Sequence, residues 1–244
     1  MVETTDARRE VTIAAAIAVA AGACWIAAGR RMSGMDMGPG GSLGSLTFFT
    51  ATWVIMMAAM MLPSAAPAVL SFDRRAVRRV AAGLWSPLLF VAGYLGVWTL
   101  VGVGAFGAYR AVSDAHLHVL EWDRGGRYMA GAAVVAAGLY ELTALKRACL
   151  RRCRGGVDRA GTPVEAGLRY AGNCVGCSAG LMLLLFAVGV MSFFWMAVVT
   201  VLVFAQKVPR GGMRLVVPVA ALLLALGIWI AVAPASVPGL TLPM

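Results

Sequence analysis

A chain of 244 residues that is 61% hydrophobic and only 13% charged, with a mean hydropathy of +0.83, has too little polar surface to close a soluble domain. Its net charge of +10 is concentrated in short segments between apolar stretches. That distribution is a topology signal with attraction to anionic lipid, and it excludes nucleic acid as the partner the charge serves. Six stretches, roughly 11 to 29, 46 to 72, 86 to 108, 128 to 145, 178 to 204 and 215 to 233, reach or approach the ~20 residues a helix needs to cross a bilayer core. The expected fold is all-α: a single polytopic transmembrane bundle over residues 1–244 with about six membrane-spanning helices, held in the lipid bilayer.

The first stretch has no convincing small-residue cleavage site and is expected to stay as a helix, with the lone Cys24 as a small hydrophobe inside it. With a cytoplasmic N-terminus, thirteen of the 21 basic residues fall inside, and this orientation is the one expected. Lys207, Arg210 and Arg214 fall outside in that count and resist it, and the fifth stretch is long enough to hold a tilt, a break at Gly189 or a re-entrant segment in place of one crossing. The loop that follows, MSGMDMGPGG, holds Met32, Met35 and Met37 around Asp36. Thioethers are soft donors that select Cu(I) and survive an oxidising compartment. The same residues also suit a flexible loop that dips into the interface.

In TWVIMMAAMMLPSAAP, Trp53, Met57, Met60 and Ser64 share one helical stripe with Met56 and Met61 beside it. The stripe is either a deformable packing seam or a sulfur-lined path. Pro63 and Pro67 bend this helix, and the basic run DRRAVRR anchors its end. The third stretch is rich in glycines that let helices approach closely. The loop after it carries His116 and His118, which either add nitrogen ligands or are merely solvated. Glu141 in the fourth stretch costs at least ~2.5 kcal/mol at bilayer depth, so it requires a buried partner, an ion path or a position at the end of the span.

The organising segment lies at 145–182, where four of the five cysteines and seven basic residues gather. Cys149 and Cys153 are spaced i, i+4, and Cys174 and Cys177 are spaced i, i+3, so each pair faces one way on a helix. A loop between them folds the pairs into one four-sulfur site of the kind that suits Cu(I) or zinc, with Met182 on the same side as Cys174 and Cys177. On the cytoplasmic face these thiols stay reduced, and the arginines of the loop, Arg154, Arg159 and Arg169, offset thiolate charge.

Taken together, TWVIMMAAMMLPSAAP, YELTALKRACLRRCR, GNCVGCSAGLMLLLFAVGVMSFFWM and the late QKVP resemble a bacterial family of predicted metal-binding integral membrane proteins with a domain of unknown function, over about residues 46–212. The resemblance implies a multi-pass protein of the bacterial inner (plasma) membrane whose cysteines, and in part methionines, are ligands. In the family pattern a further cysteine stands where this chain has Ser178, and an acidic residue where it has Gln206.

The expected function is handling of a soft metal ion, copper before zinc, through Cys149, Cys153, Cys174 and Cys177 with the methionines as outer or intramembrane contacts. The metal ion itself and a metallochaperone or membrane complex are the expected partners. Two alternatives stand beside it: a membrane thiol-disulfide oxidoreductase using Cys174 and Cys177, for which no quinone or flavin signature is present, and a structural accessory subunit whose cysteines only pack.

Overall fold

The computed structural model describes residues 2–32, 44–77, 85–114, 126–157, 161–188 and 192–234. Met35, Met37, Arg159, His116 and His118 lie outside them. The described residues form eight α-helices and one short 3-10 turn, with no strand among them: α1 (Val2–Met32), α2 (Leu46–Val77), α3 (Ser86–Asp114), α4 (Arg127–Glu141), α5 (Ala144–Gly155), α6 (Pro163–Val188), α7 (Phe193–Lys207), the turn Gly212–Leu215 and α8 (Val216–Val232). Five helices are long and apolar enough to cross a membrane, or six if the α4–α5 pair, bent by 62°, counts as one broken span. The all-α bundle with about six spans is therefore the architecture observed.

Ring contacts of Phe49 with Phe106 and of Phe72 with Phe90 set α2 antiparallel to α3. α6 runs in the same direction as α3. Near their starts Gly93 lies against the Val164 carbonyl and Gly167 against the Phe90 carbonyl, where a Cβ on either glycine would collide with backbone. Farther along, Trp53 donates 2.8 Å to the Trp98 carbonyl in the middle of α3 and stacks on Phe186 near the end of α6. α4 and α8 cross through Gly131 and Gly227, the small-residue contact that lets two membrane helices approach at backbone distance.

Pro63 and Pro67 are accommodated within α2, and Ser64 donates 2.9 Å to the Met61 carbonyl. Two ion pairs tie the start of α1 to the end of α2, Arg9 with Asp73 at 2.8 Å and Arg74 with Glu10 at 2.6 Å.

The structure departs from the sequence expectation between 141 and 207. The fourth stretch stops at Glu141. Thr143 then caps a separate α5 by accepting from the Lys146 amide at 3.2 Å, and Gly156 closes that helix with a φ of 85°. The long loop expected between the cysteine pairs is mostly helix. Thr162 and Glu165 form a reciprocal capping box at 3.2 and 3.3 Å around Pro163, so α6 begins eleven residues before Cys174. The single apolar run 178–204 is divided between α6 and α7.

α4 and α7 are 15 residues each, about 22 Å long, which is short of a bilayer core of about 30 Å. Phe193 at the start of α7 touches Trp25 near the end of α1, so α7 returns from that end of the bundle toward the cysteines. Its last residues meet the last residue of α4 inside the protein. α5 closes this end with Arg147, Arg151 and Arg152 exposed and Lys146, Cys149, Leu150 and Cys153 buried, the pattern of a helix lying in an interface. Lys207, Arg210 and Arg214 thus lie at the α5 end. The opposite placement counted 178–204 as one crossing; the chain instead takes the other reading, a break after Val188 with α7 returning, which reverses it.

Candidate metal site

The close packing of α5 on α6 follows from the residue inside the CVGC pair. The Cys149 sulfur lies over Gly176, where a Cβ would come within 2.7 Å of it. This contact lets α5 lay its buried face on the middle of α6. All four cysteines are free, and Cys149, Cys153, Cys174 and Cys177 are buried at 8%, 7%, 0% and 2% exposure.

The sulfurs do not form a symmetric tetrad, and among the described residues no three His, Cys, Asp or Glu side chains are assembled as a ready metal cage. Cys153 and Cys177 face each other across the α5–α6 seam with sulfurs 3.6 Å apart. That is close to the separation of two sulfurs on one tetrahedral metal, about 3.8 Å for bonds of ~2.3 Å. Cys174, one turn earlier on α6, instead accepts from the Lys207 ammonium at 2.8 Å and lies 3.0 Å from the Tyr94 hydroxyl. Ser178 turns back to the Cys174 carbonyl at 2.7 Å. The site is therefore a cysteine pair, with a third thiol beside it held by an ammonium and a phenol.

Beneath the sulfurs lies a second buried polar group. Lys146 donates to Glu141 at 2.6 Å and to the Gln206 side-chain oxygen at 2.8 Å, and Gln206 donates from Nε2 to the other Glu141 oxygen at 2.9 Å. The three side chains satisfy one another. Glu141 thus has a buried partner, the first of the readings its sequence position left open. Tyr140 donates 2.6 Å to the Gly176 carbonyl and fastens α4 to the same turn of α6.

Of the arginines expected beside the thiols, Arg154 and Arg169 are placed elsewhere. Arg154 reaches the carbonyls of Gln206, Lys207, Pro209 and Arg210 at 2.6 to 3.0 Å, covering the C-terminal end of α7, and Arg169 is on the exposed side of α6. A positive charge at the sulfurs comes from Lys207, which the charge count had placed on the outer face with Arg210 and Arg214. Its signal was present only as a lysine directly following Gln206 at the close of an apolar run.

The methionines divide between two parts of the core. Met57, Met60 and Met61 are fully buried on α2, which packs on α1, α3 and α7, and Met32 is buried at the end of α1. Met182 is buried on α6, two turns beyond Cys174.

The sequence matches a protein family, PpoB2, described as copper chaperone, over residues 50–230, a region that holds every side chain of this site. No curated protein and no solved structure matches the chain.

Proposed function

We propose, from the premise that this chain belongs to the copper chaperone family PpoB2, that it is an integral membrane protein that receives Cu(I) as cargo at Cys153 and Cys177 and passes it on. The observation that carries this reading is the pair of buried thiols 3.6 Å apart across two helices, a soft donor pair in a chain of a copper family. Cys149 and Cys174 flank the pair as further thiols, Cys174 becoming an exchange ligand only when its contact with Lys207 opens. Met57, Met60, Met61 and Met182 serve as thioether contacts along the ion's route, together with Met32 at the end of α1 and with Met35 and Met37, which follow it in the sequence. A soluble metallochaperone or a membrane-bound acceptor is the partner that such a carrier requires.

The basic segments around α5 support an orientation with the cysteine end on the cytoplasmic side of the plasma membrane, where thiols remain reduced. The test is copper content and free-thiol count of the purified protein. Wild-type protein should retain copper that the double variant Cys153→Ser/Cys177→Ser lacks. Equal copper in both would remove the assignment.

A further inference from the structure

Lys207 is only 6% exposed, and among the described residues its hydrogen-bond partner is a sulfur and not a carboxylate. Four described carboxylates are engaged elsewhere: Asp73 with Arg9, Glu10 with Arg74, Glu141 with Lys146 and Gln206, and Glu165 with the start of α6. The contrast with Lys146 is direct. That lysine is at least as deeply buried but has a carboxylate beside it, so the group Glu141–Lys146–Gln206 is neutral as it stands. Lys207, one residue after Gln206, brings a positive charge to the cysteine cluster with no carboxylate hydrogen-bonded to it among the described residues.

We propose that Lys207 sets the charge of the ion this site accepts, confining it to a monovalent soft cation and excluding divalent ones. The inference rests on the copper reading above and goes beyond it by naming the residue that decides between Cu(I) and Zn(II), both of which suit thiolates. Two coordinated thiolates, one ammonium and one monovalent ion sum to zero charge. The same set around a divalent ion keeps a positive charge in a buried, poorly screened environment. The ammonium therefore opposes a divalent ion by its charge.

The test uses full-length protein in detergent, with Ag(I) as a monovalent probe that lacks the redox chemistry of copper and Cd(II) as a divalent thiophile. Affinities are read from thiolate-to-metal absorption against competing chelators. Lys207→Met should lower the Ag(I)-to-Cd(II) affinity ratio by at least about tenfold, because a charge at contact distance is removed, while Lys207→Arg should preserve it. An unchanged ratio in K207M, or an equal fall in K207R, would overturn the proposal. If K207M does not fold, Lys207→Gln replaces it. The wild type provides a further check, since Cd(II) held at Cys153 and Cys177 as tightly as Ag(I) also overturns it. Wild-type protein that binds neither ion overturns the copper reading as well, whereas binding with an unchanged ratio in K207M overturns this inference alone.

Discussion

The guanidinium of Arg154, in the last turn of α5, donates 2.6 Å to the carbonyl of Pro209, two residues past the end of α7. This bond, with those to Gln206, Lys207 and Arg210, fixes which end of the bundle carries the late basic residues. It joins Lys207, Arg210 and Arg214 to the thirteen that already favoured one side, so the distribution no longer conflicts with itself.

A topology measurement follows from that bond. Reporters fused after Gly156 and after Gly211 should behave alike, both cytoplasmic, and one fused after Gly126 should behave as external. Opposite responses at Gly156 and Gly211 would remove the returning α7 and restore a single crossing over 178–204.

The neutral group beneath the sulfurs should dominate stability at this end. Glu141→Gln leaves the Lys146 ammonium buried without its counter-charge, which should cost about 3–5 kcal/mol. Gln206→Ala, which removes two hydrogen bonds but no charge, should cost about 1–3 kcal/mol. Glu141→Gln combined with Lys146→Met should be less damaging than the sum of the two single changes, since the second removes the stranded charge. Unfolding midpoints in one fixed detergent measure all four proteins, and strictly additive losses would show that the three side chains do not act as a unit.

Much of this architecture was written in hydropathy. The runs that became α1, α2, α3 and α8 are long, apolar and flanked by charge, so length alone located them. What hydropathy concealed was local. The start of α6 is polar, with Glu165 and Arg169 exposed, and so read as loop although Thr162, Pro163 and Glu165 spell a helix start. The division between α6 and α7 falls in an uninterrupted apolar run with no charge to mark it. For the site, spacing pointed to Cys149, Cys153, Cys174 and Cys177, which are buried on α5 and α6. Which sulfurs face each other, and that Lys207 and Tyr94 approach Cys174 from other helices, depends on tertiary packing that no local pattern carries.

The methionine stripe of α2 separates a path from a packing seam. Met56, Met57, Met60 and Met61 are all buried, and exchanging each for Leu keeps volume and shape at a usual cost below about 1.5 kcal/mol. The quadruple Leu variant should fold and hold as much copper at equilibrium as wild type, because the resting ion is on cysteine. Its rate of loading from a Cu(I) donor should fall, because the route has lost its thioethers. An unchanged loading rate would make the stripe packing alone.

The cysteines should be unequal, because the structure pairs only two of them directly. Cys153→Ser and Cys177→Ser should each lower Cu(I) affinity by a similar large factor. The double variant should add little to either, as expected when two ligands hold one ion and the loss of one already disables the other. Cys149→Ser should be mild by comparison, since that sulfur rests on Gly176 and touches the pair only through the seam. Cys174→Ala has a different consequence: it removes the hydrogen-bond acceptor of the buried Lys207 ammonium, so its signature is a lowered unfolding midpoint in the metal-free protein, which the Cys153 and Cys177 variants should not share. Competition titrations with a Cu(I) chelator, run beside thermal unfolding of the metal-free proteins, distinguish the two effects. Equal affinity losses at all four positions with no stability difference would replace the pair by the symmetric four-sulfur site that the spacing alone suggests.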